Sequence, residues 1–237
     1  MQTEDIEYTG DIKMRGFLAR SQSATAQPVV IIAHDWSGCR DFAQDKAKYF
    51  AEHGYVGFAV DMYGVDKRGS DTDKGLNQSL MQPLMQDRQL IISRLQAAMD
   101  CIKKLPNIKT DKIIVLGFCF GGLCALDFAR SGAEIAGAVS VHGLLFKPEV
   151  TSKAKIKAKI LALHGYNDQM STPEVLDQFH AEMTSRGADW QTHIFGHTTH
   201  AFTNPKAHDP HAGLEYHGMS NTRAWAIIKL FVDEIFG

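Results

Sequence analysis

Two rhythms of apolar and polar residues alternate along the chain. Val29-Val30-Ile31-Ile32-Ala33, Tyr55-Val56-Gly57-Phe58-Ala59-Val60 and Lys112-Ile113-Ile114-Val115-Leu116 are nearly unbroken apolar runs with no polar face. Such runs fit strands buried on both sides of a parallel sheet. Between them the period lengthens to that of a helix. Residues 43–53 read as a helix closed by Gly54, and residues 82–104 as one long amphipathic helix carrying Leu90, Ile91, Leu95, Ala98 and Ile102 on one face, with Pro106 beyond its end. A polar, glycine-containing loop, 64–75, precedes that helix. Further strands are expected at 135–141, 160–164 and 189–195, and helices at 123–130, 173–186 and 222–236, the second of these announced by Ser171-Thr172-Pro173. Residues 4–8 and 12–19 read as an antiparallel hairpin turning at Gly10-Asp11. About eight strands alternating with helices imply an α/β fold, a mostly parallel sheet covered by helices on both faces. No repeat, low-complexity tract or Pro/Gly/Ser linker interrupts the sequence, so residues 1–237 are expected to form a single domain.

Composition narrows the class. Of the 237 residues 44% are hydrophobic and 22% charged, enough apolar material for a large core. Twenty-five basic residues against 27 acidic ones leave a net charge of −2, without the basic excess of a nucleic-acid binder. The opening MQTEDIEYTG has acidic residues where a signal peptide is basic and then apolar, and no apolar run approaches the roughly 18 residues of a membrane span. A cytoplasmic protein with no nucleic-acid or membrane partner is expected, as a monomer or homodimer. Four cysteines, Cys39, Cys101, Cys119 and Cys124, are too few for a disulfide scaffold and lack paired CxxC zinc spacing, so free thiols are expected.

One of the four stands apart. Gly117-Phe118-Cys119-Phe120-Gly121 follows a β-branched strand and opens a helical stretch. This is the context of a G-x-nucleophile-x-G elbow, with cysteine at the nucleophile position. A helix starting just after Cys119 would bring its positive pole to the sulfur and offer the Phe120 N–H to an oxyanion. A cysteine hydrolase also needs a base and an acid, which in this architecture follow the nucleophile in the order acid, histidine. The loop after the 160–164 strand supplies Asp168; the loop after the 189–195 strand supplies His197 or His200. A further group of histidines, His193, His208, His211 and His217, crowds the same stretch. Their spacing fits no shared helix face and no HExxH occurs, so no metal or other cofactor is expected. Cys101 and Cys124 read as small apolar fillers, and a redox role for Cys39 stays open.

Taken together, these pieces resemble the dienelactone hydrolase family, the cysteine branch of the α/β-hydrolases. The resemblance rests on residues 117–122, on Asp61-Met62-Tyr63, on the Gly165-to-Asp168 turn and on His200-Ala201-Phe202. It implies an α/β-hydrolase fold, a Cys119, Asp168 and His200 triad in preference to His197, a small ester or lactone as substrate, and a second oxyanion donor in the Trp36 N–H. It also implies that Asp35, standing where the family typically has glutamate, helps to activate the nucleophile. Arginines that hold a substrate carboxylate in better-known members have no identifiable match: Arg68, Arg88 and Arg94 read as solvated charges. With His200 as the base, the rate should fall as it protonates, near or below an unperturbed pKa of about 6.5. The contrasting reading is a redox-sensitive or ligand-binding thiol protein of the same fold that turns nothing over.

Overall fold

The computed structural model describes residues 1–149 and 155–237. An eight-stranded, mostly parallel sheet with helices is its framework, as the strand and helix rhythm predicts. The chain divides into two compact units, residues 1–116 and 117–237, and the division falls inside a strand, with no linker there.

The first unit opens with an antiparallel hairpin, β1 (Gln2–Thr9) and β2 (Lys13–Arg20), paired from Gln2 with Arg20 to Thr9 with Lys13. It continues through β3 (Gln27–Ala33), α1 (Asp41–Glu52) and β4 (Val56–Ala59), with β3 parallel and β2 antiparallel to β4. Val29 to Ala33 are all fully buried, which explains why this strand has no polar face. The long helix expected over 82–104 is in fact two, α2 (Lys74–Gln86) and α3 (Arg88–Ile102). Asp87 separates them: it is extended and its carboxylate accepts the Gln89 N–H, capping α3, while Asp73 caps α2 through the Leu76 N–H. The polar stretch 64–75 therefore ends two residues inside a helix. Strand order on this side is β1-β2-β4-β3-β5, where β5 (Ile108–Phe118) extends well beyond the expected 112–116.

The second unit takes the last two residues of β5 and continues with α4 (Phe120–Arg130), β6 (Gly137–Val141), β7 (Lys159–Gly165), α5 (Pro173–Ser185) and β8 (Asp189–Phe195). β6, β7 and β8 run parallel, in the order β5-β6-β7-β8. Phe118, Phe120, Phe128, Phe179 and Phe202 are fully buried in this unit. After β8 the chain makes an excursion that the apolar pattern does not announce: β9 (His208–Asp209) and β10 (Leu214–Glu215) form a small antiparallel pair around a 3-10 turn. The terminal helix α6 (Gly218–Phe236) starts a turn earlier than expected, because the His217 ring accepts the Ser220 N–H as its cap.

Candidate active site

The site is built where β5 meets α4. Cys119 occupies φ 55°, ψ −118°, a left-handed backbone that non-glycine residues adopt only when held there. Its N–H donates to Val141 O at 3.0 Å and to His142 Nδ1 at 3.2 Å. The glycines of the motif are required by contact: a Cβ on Gly117 would lie 1.9 Å from Gly121 O. The side chain of Cys119 is half-buried, and Phe120, directly after it, begins α4 at the positive end of the helix dipole.

Asp168 and His200 come together as their shared order suggests. His200 Nδ1–H donates to Asp168 Oδ2 at 2.7 Å, both side chains are buried, and the other carboxylate oxygen accepts the Met170 N–H at 2.8 Å. The two loops meet backbone to backbone: Asn167 N–H donates to Thr198 O, and a Cβ on Gly165 would lie 2.4 Å from that oxygen. The β9–β10 excursion clamps the histidine from its other side, with His200 N–H on Gly213 O and Glu215 N–H on His200 O.

His200 Nε2 is buried and has no well-aligned hydrogen-bond partner among the described residues. Burial alone would lower the pKa of the imidazole. The negative charge available at Cys119, the bond to Asp168 and a weak hydrogen bond with the Cys119 sulfur outweigh it, and the pKa is raised to about 10. This departs from the expected inflection near 6.5, which treats His200 as an isolated imidazole.

His197 is exposed, in a left-handed turn, and it is His200 that pairs with Asp168. Asp35 and Trp36 belong to the first unit, in the loop after β3. One carboxylate oxygen of Asp35 accepts both the Ser37 N–H (2.8 Å) and the Ser37 hydroxyl (2.6 Å), and the Trp36 carbonyl accepts the Tyr63 hydroxyl. Arg94 is not a solvated charge. It is buried and grips the Asp11 carboxylate with two nitrogens while a third bonds Met62 O at 2.6 Å, an arrangement that secures the first unit. Arg68 likewise binds backbone carbonyls and the buried Asp61. Cys39 is buried against Ala59 O and burial pushes its thiol up to about 12, which removes the thiolate a redox role would need. Among the described residues no three of His, Cys, Asp and Glu gather as a metal ion would require. His142 is the residue sequence reasoning missed: it follows an apolar strand, and nothing in its neighbours marks it as part of the site.

This eight-stranded, mostly parallel sheet, with a strained strand-to-helix turn after β5 and an aspartate-bound histidine in the loops after β7 and β8, is the architecture of an α/β-hydrolase. The model of the dienelactone hydrolase family matches residues 14–236, and the chain belongs to that family. It is similar to the crystal structure of a dienelactone hydrolase-like promiscuous phosphotriesterase from metagenomic libraries, with 30% identity and a TM-score of 0.92 over 100% of this chain and 99% of that one. A second structure, m3DLH, gives 32% identity and a TM-score of 0.92 with the same coverage. Among sequences, a protein of Aquifex aeolicus (strain VF5) named "Putative carboxymethylenebutenolidase" is 29% identical over 216 residues, 88% of this chain and 89% of that protein. The chain is thus a dienelactone hydrolase-like hydrolase.

Proposed function

We propose that the protein hydrolyses a small carboxylic ester or lactone through Cys119, His200 and Asp168, by way of a thioester, and that the whole of residues 1–237 serves as one hydrolase domain. The observation that carries this reading is the buried His200, held on Asp168 at 2.7 Å with its pKa raised to about 10 by Cys119 and Asp168. Negative charge on the Cys119 sulfur and a proton on His200 support one another in this arrangement. The family match over both units supports the single-domain reading.

In this mechanism the Cys119 thiolate attacks the carbonyl carbon, a C–S bond forms and the carbonyl electron pair moves onto oxygen. The Phe120 N–H holds that oxyanion from the first turn of α4. Collapse breaks the C–O bond, and His200 gives its Nε2 proton to the departing alkoxide. Acylation also removes the sulfur's negative charge, and with it one of the causes of the raised pKa. His200 is then a neutral base, able to take a proton from the water that attacks the thioester. The C–S bond breaks, the acid leaves, and the proton on His200 restores the ion pair. The roles of Trp36 as second oxyanion donor and Asp35 as activating acid are part of the proposal and rest on the family resemblance. A reducing compartment, the cytoplasm, suits a catalytic thiolate; among the described residues no helix is long and apolar enough to cross a membrane.

The test is hydrolysis of p-nitrophenyl acetate and a panel of lactones by wild type, Cys119→Ala and Asp35→Asn, with and without iodoacetamide, and intact-mass detection of an acyl adduct. Loss of turnover in Cys119→Ala and after alkylation, with an adduct only in wild type, is expected. Asp35→Asn keeps an acceptor for Ser37 and removes only the charge, so a fall in rate there supports the activating role. Turnover that survives both Cys119→Ala and alkylation overturns the thiol mechanism, and no turnover on any substrate favours the ligand-binding thiol. A phosphotriester belongs in the panel because the metagenomic relative is described as a phosphotriesterase.

A further inference from the structure

Beside the triad, the second unit holds a histidine that the proposed reaction does not use. His142 directly follows β6, is buried, and has a left-handed backbone at φ 40°. Its ring nitrogens are committed in opposite directions. Nδ1 accepts the Cys119 backbone N–H at 3.2 Å, and Nε2 meets the Thr203 hydroxyl at 2.8 Å. A nitrogen that accepts an N–H carries a lone pair there, so the ring proton sits on Nε2 and is donated to Thr203 Oγ1. The ring is uncharged in this arrangement. It stands edge-on to His200, centroids 5.2 Å apart and planes at 63°, and edge-on to Phe202 at 5.1 Å.

We infer that His142 is a positioning residue, which in its neutral form ties the nucleophile turn to the histidine loop and so fixes Cys119 and His200 relative to one another. The inference rests on the Cys119–His200 reading given above. Three observations converge on it. The backbone of Cys119 is strained, and the N–H of that residue is one of the groups that hold it in place. Thr203 lies three residues past His200, beyond another left-handed residue, Ala201 at φ 59°, so the hydroxyl bond anchors a loop that is itself bent out of ordinary conformations. Finally, a second imidazolium beside His200 would oppose the charge that the ion pair needs. The Cys119 N–H, by occupying Nδ1, keeps the neighbouring ring neutral. A phenylalanine could fill the same space, but would leave the Cys119 N–H with only Val141 O and the Thr203 hydroxyl buried without its donor.

The experiment compares His142→Phe, His142→Asn and Thr203→Val with wild type, reading kcat and KM for ester hydrolysis, the rate constant for alkylation of Cys119 by iodoacetamide, and the urea unfolding midpoint. In His142→Phe, kcat is expected to fall by roughly 10- to 100-fold and alkylation to slow, with KM within about two-fold of wild type. Asn places Oδ1 where Nδ1 stands and tolerates positive φ, so His142→Asn should recover most of the alkylation rate. Thr203→Val, which leaves the Cys119 contact intact, should lower kcat. The inference is overturned if folded His142→Phe matches wild type in kcat and alkylation, or if Asn rescues neither. Should His142→Phe not fold, an unchanged kcat in Thr203→Val overturns it instead. Cys119→Ala runs in parallel: activity retained there removes the catalytic reading itself, whereas activity lost there with the His142 and Thr203 variants unimpaired removes only this inference.

Discussion

The three residues of the proposed triad lie far apart in sequence, and two of them raise the pKa of the third. His200 is buried, which by itself would make its proton easier to lose, yet Cys119 and Asp168 raise its pKa to about 10. Below that pH His200 carries its proton in the resting site, and in the proposed reaction that proton is the one given to the leaving alkoxide. The sign of the pH dependence follows. As pH rises through about 10, His200 loses the proton it must give to the leaving alkoxide, so acylation fails on the alkaline side. In the free enzyme the histidine does not titrate near 6.5, so no inflection of the acylation step belongs to it there. Acylation rates measured from pH 6 to 11 with an activated ester should hold through neutrality and fall towards pH 10. A descent on the acid side centred near 6.5 that is abolished in His200→Gln while turnover persists would show that His200 behaves as an isolated imidazole after all.

At the scale of elements, the turn between β5 and α4 is set by contact rather than by conformational freedom. A Cβ on Gly117 would lie 1.9 Å from Gly121 O, and one on Gly122 would lie 2.7 Å from the Cα of Gly143, two residues past β6. Gly54 offers a comparison: it has φ 87° and open space around its would-be Cβ. Gly54→Ala should therefore cost only the left-handed strain, roughly 1–2 kcal/mol, whereas Gly117→Ala forces backbone against backbone and should cost more, about 3 kcal/mol. Urea unfolding of both variants checks this, and equal losses would count against the contact argument. The glycines of this turn were readable in the sequence because a local steric need leaves a local signature. Asp168, just past the apolar β7, was readable in the same way, whereas the loop after β8 offered both His197 and His200 and only the family resemblance chose between them. Other features were not readable, for physical reasons. The break at Asp87 competes with an unbroken apolar face, and a capping aspartate looks like any polar helix residue until the chain bends. Arg94 finds Asp11 83 residues away, and His142 finds Cys119 and Thr203 across 23 and 61 residues, pairings no spacing encodes. The β9–β10 excursion buries too little apolar surface to impose a rhythm.

For the whole molecule, the buried titratable groups of both units combine into one stability profile. In the first unit burial lowers the pKa of His34, and in the second burial lowers that of His164. Both stay neutral when folded and titrate at 6.5 when unfolded, so as pH falls below 6.5 the unfolded chain takes up protons that the folded chain resists. Stability drops on that side. His200 acts in the opposite direction. With a folded pKa of about 10 against 6.5 unfolded, it holds a proton that the unfolded chain releases, so its contribution is complete below 6.5 and is lost as pH rises towards 10. Cys39, pushed from 9.0 to about 12 by burial, adds to the loss above pH 9, because the unfolded thiol ionises where the folded one cannot. The maximum should therefore sit near pH 6.5. Surface charge does not shift it far: the net charge is only −2, and exposed ion pairs such as Lys229 with Asp233 contribute little. Urea midpoints measured from pH 5 to 10 should peak near 6.5 in wild type. In His200→Gln the decline between pH 7 and 9 should flatten while the decline below 6.5 stays. A wild-type midpoint that climbs steadily to pH 9 would mean that the buried imidazole does not hold its proton in the folded state, a result independent of any activity measurement.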